Sequence, residues 1–316
     1  MTLISIVMPL YNKAPYVAKT INSIQRQTFQ DFQIIVVNDG STDGGEHIVK
    51  SIGDPRIRLI NQTNAGVSAA RNRGVAEAQA DFIAFLDADD EWKPEFLENI
   101  WDVKEKFPEA GIWATAYDIE EGNSMRVVAI NSTETDFYIQ NIQAYIDYHI
   151  KYGPIFFTSS LMLYKPIFQE IGGFQEGISR GEDLDVWFQM ARKAPVAYRS
   201  KRLAIYNKGL PLSICSTYTE TKKSRLVESL EREILKCQCD NFFNKSAIDY
   251  LAWRKSLPVH RLLLSGNRRE ARRLIHSAWF SKKLRKKCIW YYLQSLLPVQ
   301  FLDFYSKHVK GALKFF

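Results

Sequence analysis

Apolar positions in roughly the first 90 residues fall into short continuous runs at 3–8, 32–37, 57–60 and 81–86. Each is bounded by residues that favour turns and helix caps. The segments between them have another rhythm. Val17, Ile21 and Ile24 recur at helical spacing within 14–27, a helix is predicted to end near residue 51, and 65–80 is rich in alanine. Apolar runs without alternation suit parallel strands buried on both faces, and their alternation with helices predicts a doubly wound α/β layer. Ligands of such sheets bind beyond the carboxyl ends of the strands. Tyr11 and Asn12, Asp39, Asn64, and Asp87 with Asp89 follow successive runs, so four loops converge on one rim. From 111 to 208 the pattern is less regular. It predicts strands at 112–117 and 156–164, a helix over 181–192, and one or two short strands within 196–206. From about residue 219 the chain turns helical, basic and aromatic.

Composition changes this picture in one respect. The 316 residues carry 42 Lys and Arg against 35 Asp and Glu, a formal +7, but residues 250–316 alone hold 15 basic and 2 acidic residues. A slightly acidic body thus carries a strongly basic tail, which calls for an anionic partner. Cys215, Cys237, Cys239 and Cys288 are few and irregularly spaced, as expected of reduced thiols in a cytosolic chain. No basic leader with a cleavage site precedes the first strand. The most apolar stretch, 289–304, is broken by Gln294, Pro298, Gln300 and Asp303, and is shorter than the ~20 residues of a spanning helix.

Two carboxylates two residues apart at a strand end, Asp87 and Asp89, offer hard oxygen donors to Mg²⁺ or Mn²⁺, an ion completed by waters and substrate phosphates. The same acidic run also suits a helix cap. Asp39 suits a nucleobase or ribose contact and, equally, an Asx-turn or cap. Arg71, on the helix after the third strand, can fork onto phosphate or sit in a structural ion pair. Glu182 and Asp183 open a helix after a glycine-rich approach. A carboxylate there suits a general base, or merely the helix dipole. Glycine-rich dinucleotide and P-loop signatures are absent from the sequence. His47, His149, His260, His276 and His308 are scattered and are given no role.

Several motifs occur in order. They are Ser5-Ile6-Val7-Met8-Pro9-Leu10-Tyr11-Asn12, Val37-Asn38-Asp39-Gly40-Ser41-Thr42-Asp43 and Asn64-Ala65-Gly66-Val67-Ser68-Ala69-Ala70-Arg71-Asn72. Phe85-Leu86-Asp87-Ala88-Asp89-Asp90 with Trp92 and Pro94, then Gly172-Gly173-Phe174 and Gly181-Glu182-Asp183, complete the set. Over about its first 200 residues the chain thereby resembles the family 2 inverting glycosyltransferases of the GT-A fold. The resemblance implies that Pro9, Tyr11 and Asp39 hold uracil and ribose, and that Asn64, Gly66 and Arg71 line the nucleotide and phosphate pocket. Asp87, Ala88 and Asp89 would meet the nucleotide sugar. Asp89, with Asp87, would hold Mn²⁺ or Mg²⁺. Asp183 would be the base that deprotonates the acceptor, with Glu182 beside it. The implied chemistry is a single displacement at the anomeric carbon, with inversion, from a UDP-sugar to a glycan or lipid-linked acceptor of bacterial surface-glycan type, lipopolysaccharide or capsule. The Gln-x-x-Arg-Trp motif of processive synthases is missing after Asp183, where the chain reads Val186-Trp187-Phe188-Gln189-Met190. One sugar per encounter is therefore expected.

The expected organisation is a GT-A catalytic domain over 1–212, with the donor side at about 1–110 and the acceptor side at about 111–212, and a helical basic tail over 213–316. Arg268-Arg269, Arg272-Arg273 and Lys282-Lys283-Leu284-Arg285-Lys286-Lys287 interleave with Trp279, Phe280, Trp290, Tyr291 and Tyr292 in this tail, a pattern suited to an anionic membrane surface. A cytoplasmic protein, peripheral on the cytoplasmic face of the inner membrane, is expected. Two rival functions make different demands. A nucleic-acid-binding protein would use the basic tail with salt-steep affinity and leave the acidic rim unexplained. A nucleotidyltransferase would release pyrophosphate. No nucleic-acid partner is expected.

Overall fold

The computed structural model describes residues 2–122, 124–129, 135–178, 181–210, 227–228, 230–231, 242–279 and 281–298. The chain divides into two compact units, Met1–Ser224 and Arg225–Phe316. The expected boundary at 212/213, three of the four cysteines and the tail beyond 298 lie outside the described residues.

The first unit begins β1 (Ile4–Leu10), α1 (Ala14–Gln25), β2 (Phe32–Asp39), α2 (Gly45–Ser51), β3 (Ile57–Gln62), α3 (Val67–Glu77) and β4 (Phe82–Phe85). It continues β5 (Glu91–Trp92), α4 (Phe96–Lys106), β6 (Ile112–Glu121), β7 (Ser124–Val128), β8 (Asp136–Ile139) and α5 (Ile142–Tyr152). It ends β9 (Leu161–Tyr164), α6 (Lys165–Glu170), α7 (Glu182–Lys193) and β10 (Val196–Asn207). The sheet runs β3-β2-β1-β4-β9-β6-β10-β5, with β7 on β6 and β8 on β10. Its first four strands are parallel. β9 enters antiparallel to both β4 and β6, while β10 runs parallel to β6.

The apolar runs become double-faced strands. Ile4, Ile6, Met8 and Leu10 join Val17, Ile21 and Ile24 of α1 and Phe96, Leu97 and Ile100 of α4 in one core. Val7 points the other way. A methyl group at Gly74 of α3 would lie 2.3 Å from its Cγ1, so helix and strand meet there at backbone distance. Pro9 is tolerated in β1 because β4 pairs only with Ile4–Val7, leaving no ladder bond for the missing N–H to make.

The structure corrects the pattern at two places. The strand expected over 156–164 is a turn of 3-10 helix, Thr158–Ser160, followed by β9. The Ser160 hydroxyl accepts from the Phe157 N–H and donates to the Phe157 carbonyl, each at 3.0 Å, and this local pairing competes with the ladder. Over 196–206, where one or two short strands are expected, one strand of 12 residues forms, β10, with register shifts between Arg199 and Ala204.

The second unit contains α8 (Phe242–Ser256), α9 (Val259–Leu264), α10 (Arg268–Ala278) and α11 (Arg285–Gln294). Tyr250, Trp253, Val259, Leu263, Ala271, Ile275, Leu284 and Cys288 are buried in it. The Asn267 side chain caps α10 by accepting from the Glu270 N–H at 3.3 Å. Among the described residues, no helix is long and apolar enough to cross a membrane.

Candidate active site

The rim at the carboxyl ends of β1 to β4 is stitched together by its own loops. Asn12, after β1, adopts a left-handed conformation (φ 51°), which asparagine tolerates better than most side chains. Its N–H donates to Ser41 Oγ at 3.1 Å and its Oδ1 accepts from the Thr42 N–H at 2.8 Å, joining the first two loops. Asp39 joins the second to the third. Its carboxylate accepts from Gln62 Nε2 (2.8 Å), the Ala65 N–H (2.9 Å) and the Gly66 N–H (2.8 Å). Three of about four acceptor directions are thus used in holding the loop before α3. Gly40 next to it is held by contact as well as conformation: at φ 72°, an added Cβ would fall 2.9 Å from the Asn64 nitrogen. Tyr11 is exposed at the rim, Pro9 is half-buried below it, and Asn64 and Gly66 are exposed.

Arg71 lies almost wholly buried on α3 and unites two distant carboxylates. One nitrogen, Nη2, forks onto Asp87 Oδ1 and Oδ2 at 2.8 and 3.0 Å, while Nη1 donates to Glu182 Oε1 at 3.1 Å. The guanidinium also lies over the Phe174 ring, 5.3 Å from its centre. Burial works against its charge, but Asp87 and Glu182 outweigh it and hold its pKa above the ordinary value. The guanidinium expected to meet phosphate is therefore already bonded to carboxylates. Asn72, one residue on, accepts from the Phe174 N–H (2.9 Å) and donates to the Phe174 carbonyl (2.8 Å), fixing the glycine-rich approach to α7.

The acidic run after β4 has an internal division of labour. Asp90 is fully buried. It accepts from Ser159 Oγ at 2.6 Å and from the Asn207 N–H at 3.1 Å. Burial, then the charges of Asp89 and Asp87, push its pKa well above the carboxylate range. Ala88 is buried, and its carbonyl accepts from Thr20 Oγ1 at 3.0 Å. Asp89 carries the ammonium of Lys13 on Oδ2 at 2.5 Å. Burial raises its pKa, Lys13 opposes the rise, and Asp87 adds to it. Asp87 and Asp89 keep 28% and 15% of their side chains exposed, so both carboxylates can be reached from the rim. Among the described residues, no three acidic, histidine or cysteine side chains cluster as a closed metal cage. Two hard carboxylates with a cation already resting on one of them nevertheless fit an ion whose remaining donors are phosphate oxygens and water.

Glu182 begins α7 on the far side of Arg71. Burial, then the charge of Asp183, push its pKa up to about 7 against the pull of Arg71. Asp183 is half-buried next to it, and its charge is felt at Arg71, Glu182 and Tyr117. The structure thus gathers Pro9, Tyr11, Asp39, Asn64, Gly66, Arg71, Asp87, Ala88, Asp89, Glu182 and Asp183 along one rim. Sequence reasoning missed Lys13, Ser159 and Asn207. Lys13 lies two residues past Tyr11, a position that could have flagged it. Ser159 and Asn207 carry no motif.

The family model for glycosyl transferase family 2 matches residues 5–166. An uncharacterized glycosyltransferase of Rickettsia conorii is 33% identical over 202 residues, which are 62% of this chain and 32% of that protein's length. The chain therefore spans about a third of that relative. Staphylococcus aureus TarS 1-349, solved in complex with UDP-GlcNAc, superposes with a TM-score of 0.70 over 96% of this chain and 91% of its own, at 17% identity. The mannosyltransferase PcManGT of Pyrobaculum calidifontis, solved with GDP-Man and Mn²⁺, superposes at 0.56 over 96% and 88%, at 15% identity. At such identities the two structures speak to the fold alone, and that fold is the GT-A type.

Proposed function

Starting from the chain's membership of glycosyltransferase family 2, we propose that it moves one sugar from a nucleotide-sugar donor to a glycan or lipid-linked acceptor, with inversion. The observation that carries the reading is the Arg71 bridge, which sets Asp87 of the strand-four rim and the Glu182–Asp183 helix start on one buried cation. Leaving-group and acceptor machinery would thereby be held in register. A UDP-sugar carrying a hexose or N-acetylhexosamine is the donor we favour, in keeping with the UDP-GlcNAc complex of TarS.

In this reading Tyr11 and Pro9 flank the base, and Asp39 has one acceptor direction left for it or for ribose. Asn64 and Gly66 line the way to the diphosphate. Asp89 and Asp87 would hold Mn²⁺ or Mg²⁺, which when bound neutralises charge on the departing diphosphate. Asp183 accepts the proton of the acceptor hydroxyl, a poor nucleophile until a positioned base takes it. Glu182, held by Arg71, keeps the start of α7 in place.

Donor turnover across a panel of nucleotide sugars, with Mn²⁺ or Mg²⁺ and with EDTA, tests this on wild type, Asp89→Ala and Asp183→Asn. Metal-dependent release of nucleoside diphosphate from one donor, lost in Asp89→Ala, is expected. Asp183→Asn should still bind nucleotide but lose about 10²–10⁴ in transfer. No turnover together with no metal-dependent nucleotide binding by calorimetry would overturn the proposal.

A further inference from the structure

The rim leaves the second unit unused, and that unit carries the largest group of exposed apolar side chains in the described chain. Ile289, Trp290, Tyr292, Leu293, Leu296 and Leu297 are 37% to 54% exposed. At about 100° per residue they share one side of α11 and its C-terminal turn, while Leu284, Cys288, Gln294 and Ser295 are buried on the other. An exposed apolar patch rimmed by charge marks a contact site.

Cations stand at both ends of the face. Lys282, Arg285 and Lys286 are exposed at its N-terminal end, and Lys283 between them pairs with Asp249 Oδ2 at 3.8 Å. At the other end, Arg268 Nη2 donates to the Leu297 carbonyl at 2.6 Å, and Arg272 reaches Ser295 Oγ at 3.1 Å and the Ser295 carbonyl at 3.2 Å. These two arginines cap the end of α11 and keep positive charge beside Leu296 and Leu297.

We propose that this face is a docking surface for an anionic lipid bilayer, with α11 lying in the plane of the interface. The charge pattern separates this occupant from others. A second copy of the chain would set cations against cations in either orientation, because both ends of the face are positive. Nucleic acid would satisfy the cations but leave Leu293, Leu296 and Leu297 in water. An anionic leaflet satisfies both: headgroup phosphates meet the lysines and arginines, and the acyl boundary takes the leucines and Ile289. Trp290 and Tyr292 are the ring types that settle at that boundary. The proposal is independent of whether the acceptor is lipid-linked.

Flotation of the full chain with vesicles tests it. One set is phosphatidylcholine alone, the other contains about a third phosphatidylglycerol, in low and high salt. Wild type is expected to bind the anionic vesicles at least about tenfold more tightly, less so in high salt. Leu293→Glu with Leu296→Glu, and separately Lys282→Gln with Arg285→Gln and Lys286→Gln, should each weaken binding about tenfold or more. All of these side chains are exposed, so thermal unfolding and donor turnover without vesicles should match wild type. Failure of the folded wild type to bind anionic vesicles overturns the proposal. So does a leucine variant that binds like wild type, since bare electrostatic adsorption would then account for everything. Self-association in light scattering that the leucine variant abolishes, without vesicle binding, would assign the face to a second copy instead.

Discussion

Replacing Arg71 with methionine keeps much of the side chain's bulk and deletes the one cation shared by Asp87 and Glu182. Breaking a buried ion pair from one side costs about 3–5 kcal/mol, because the remaining charge is left in low dielectric. Two features place this site at the lower end. Asp87 is 28% exposed and can rehydrate. Glu182, at about 7 even beside Arg71, takes up a proton more readily once the guanidinium is gone. About 3 kcal/mol corresponds to a loss of about 6–12 °C in melting temperature for a unit of this size. The pH dependence has a definite sign. Glu182 is raised in the folded protein above its ordinary 4.5. The native state therefore binds the proton more tightly than the unfolded chain. That contribution is present below about 4.5 and disappears as pH rises through about 7. The variant raises the folded value of Glu182 further and extends the window upward. Its deficit against wild type should be largest near pH 8 and shrink towards pH 5.5. Thermal unfolding of wild type, Arg71→Met and Arg71→Lys at both pH values measures this. The lysine variant should fall between the others, because a point charge cannot fork onto one carboxylate while holding another. A deficit under about 1 kcal/mol, or one of equal size at the two pH values, would refute the bridging role.

Two further outcomes follow from the same unit. Lys13→Met should tighten Mn²⁺ binding to the donor-free protein about tenfold by removing the ammonium from Asp89, and an unchanged affinity by titration calorimetry would sink that idea. Gly74→Ala should lose about 1–3 kcal/mol in chemical denaturation, because its methyl would meet Val7 at 2.3 Å, and adding Val7→Ala should recover part of the loss.

Much of the first half was legible because its physics is local. Buried parallel strands need mostly apolar runs, and β1, β2 and β4 supply them, broken only by Ser5 and Gln33. The rim could then be read from whatever polar residue ended each run. What stayed hidden depends on distant partners. Arg71 reads from the sequence as either a phosphate ligand or an ion-pair partner, because nothing near it announces Glu182, 111 residues away. Asp90 shared a motif with Asp87 and Asp89, and only the placement of Ser159 and Asn207 separates its buried state from their accessible one. Strands β5, β7 and β8 have two, five and four residues, too few for a period to show. In the second unit the amphipathic character was visible, but which aromatics faced outward was not: Trp253 is buried, whereas Trp279 and Trp290 are each 40% exposed.

The path of β10 bears on how the protein is made. It pairs along β6 from Ile112 to Glu120, and its other edge receives β8 and β5. β6, buried along its first eight residues, must therefore wait for a partner that leaves the ribosome more than 80 residues later. During that interval a long apolar edge stays unpaired, the kind of surface that recruits other chains. A nascent chain stalled before Val196 would hold a nearly complete donor rim on an unfinished sheet, a species that holdase chaperones would have to shelter until β10 arrives.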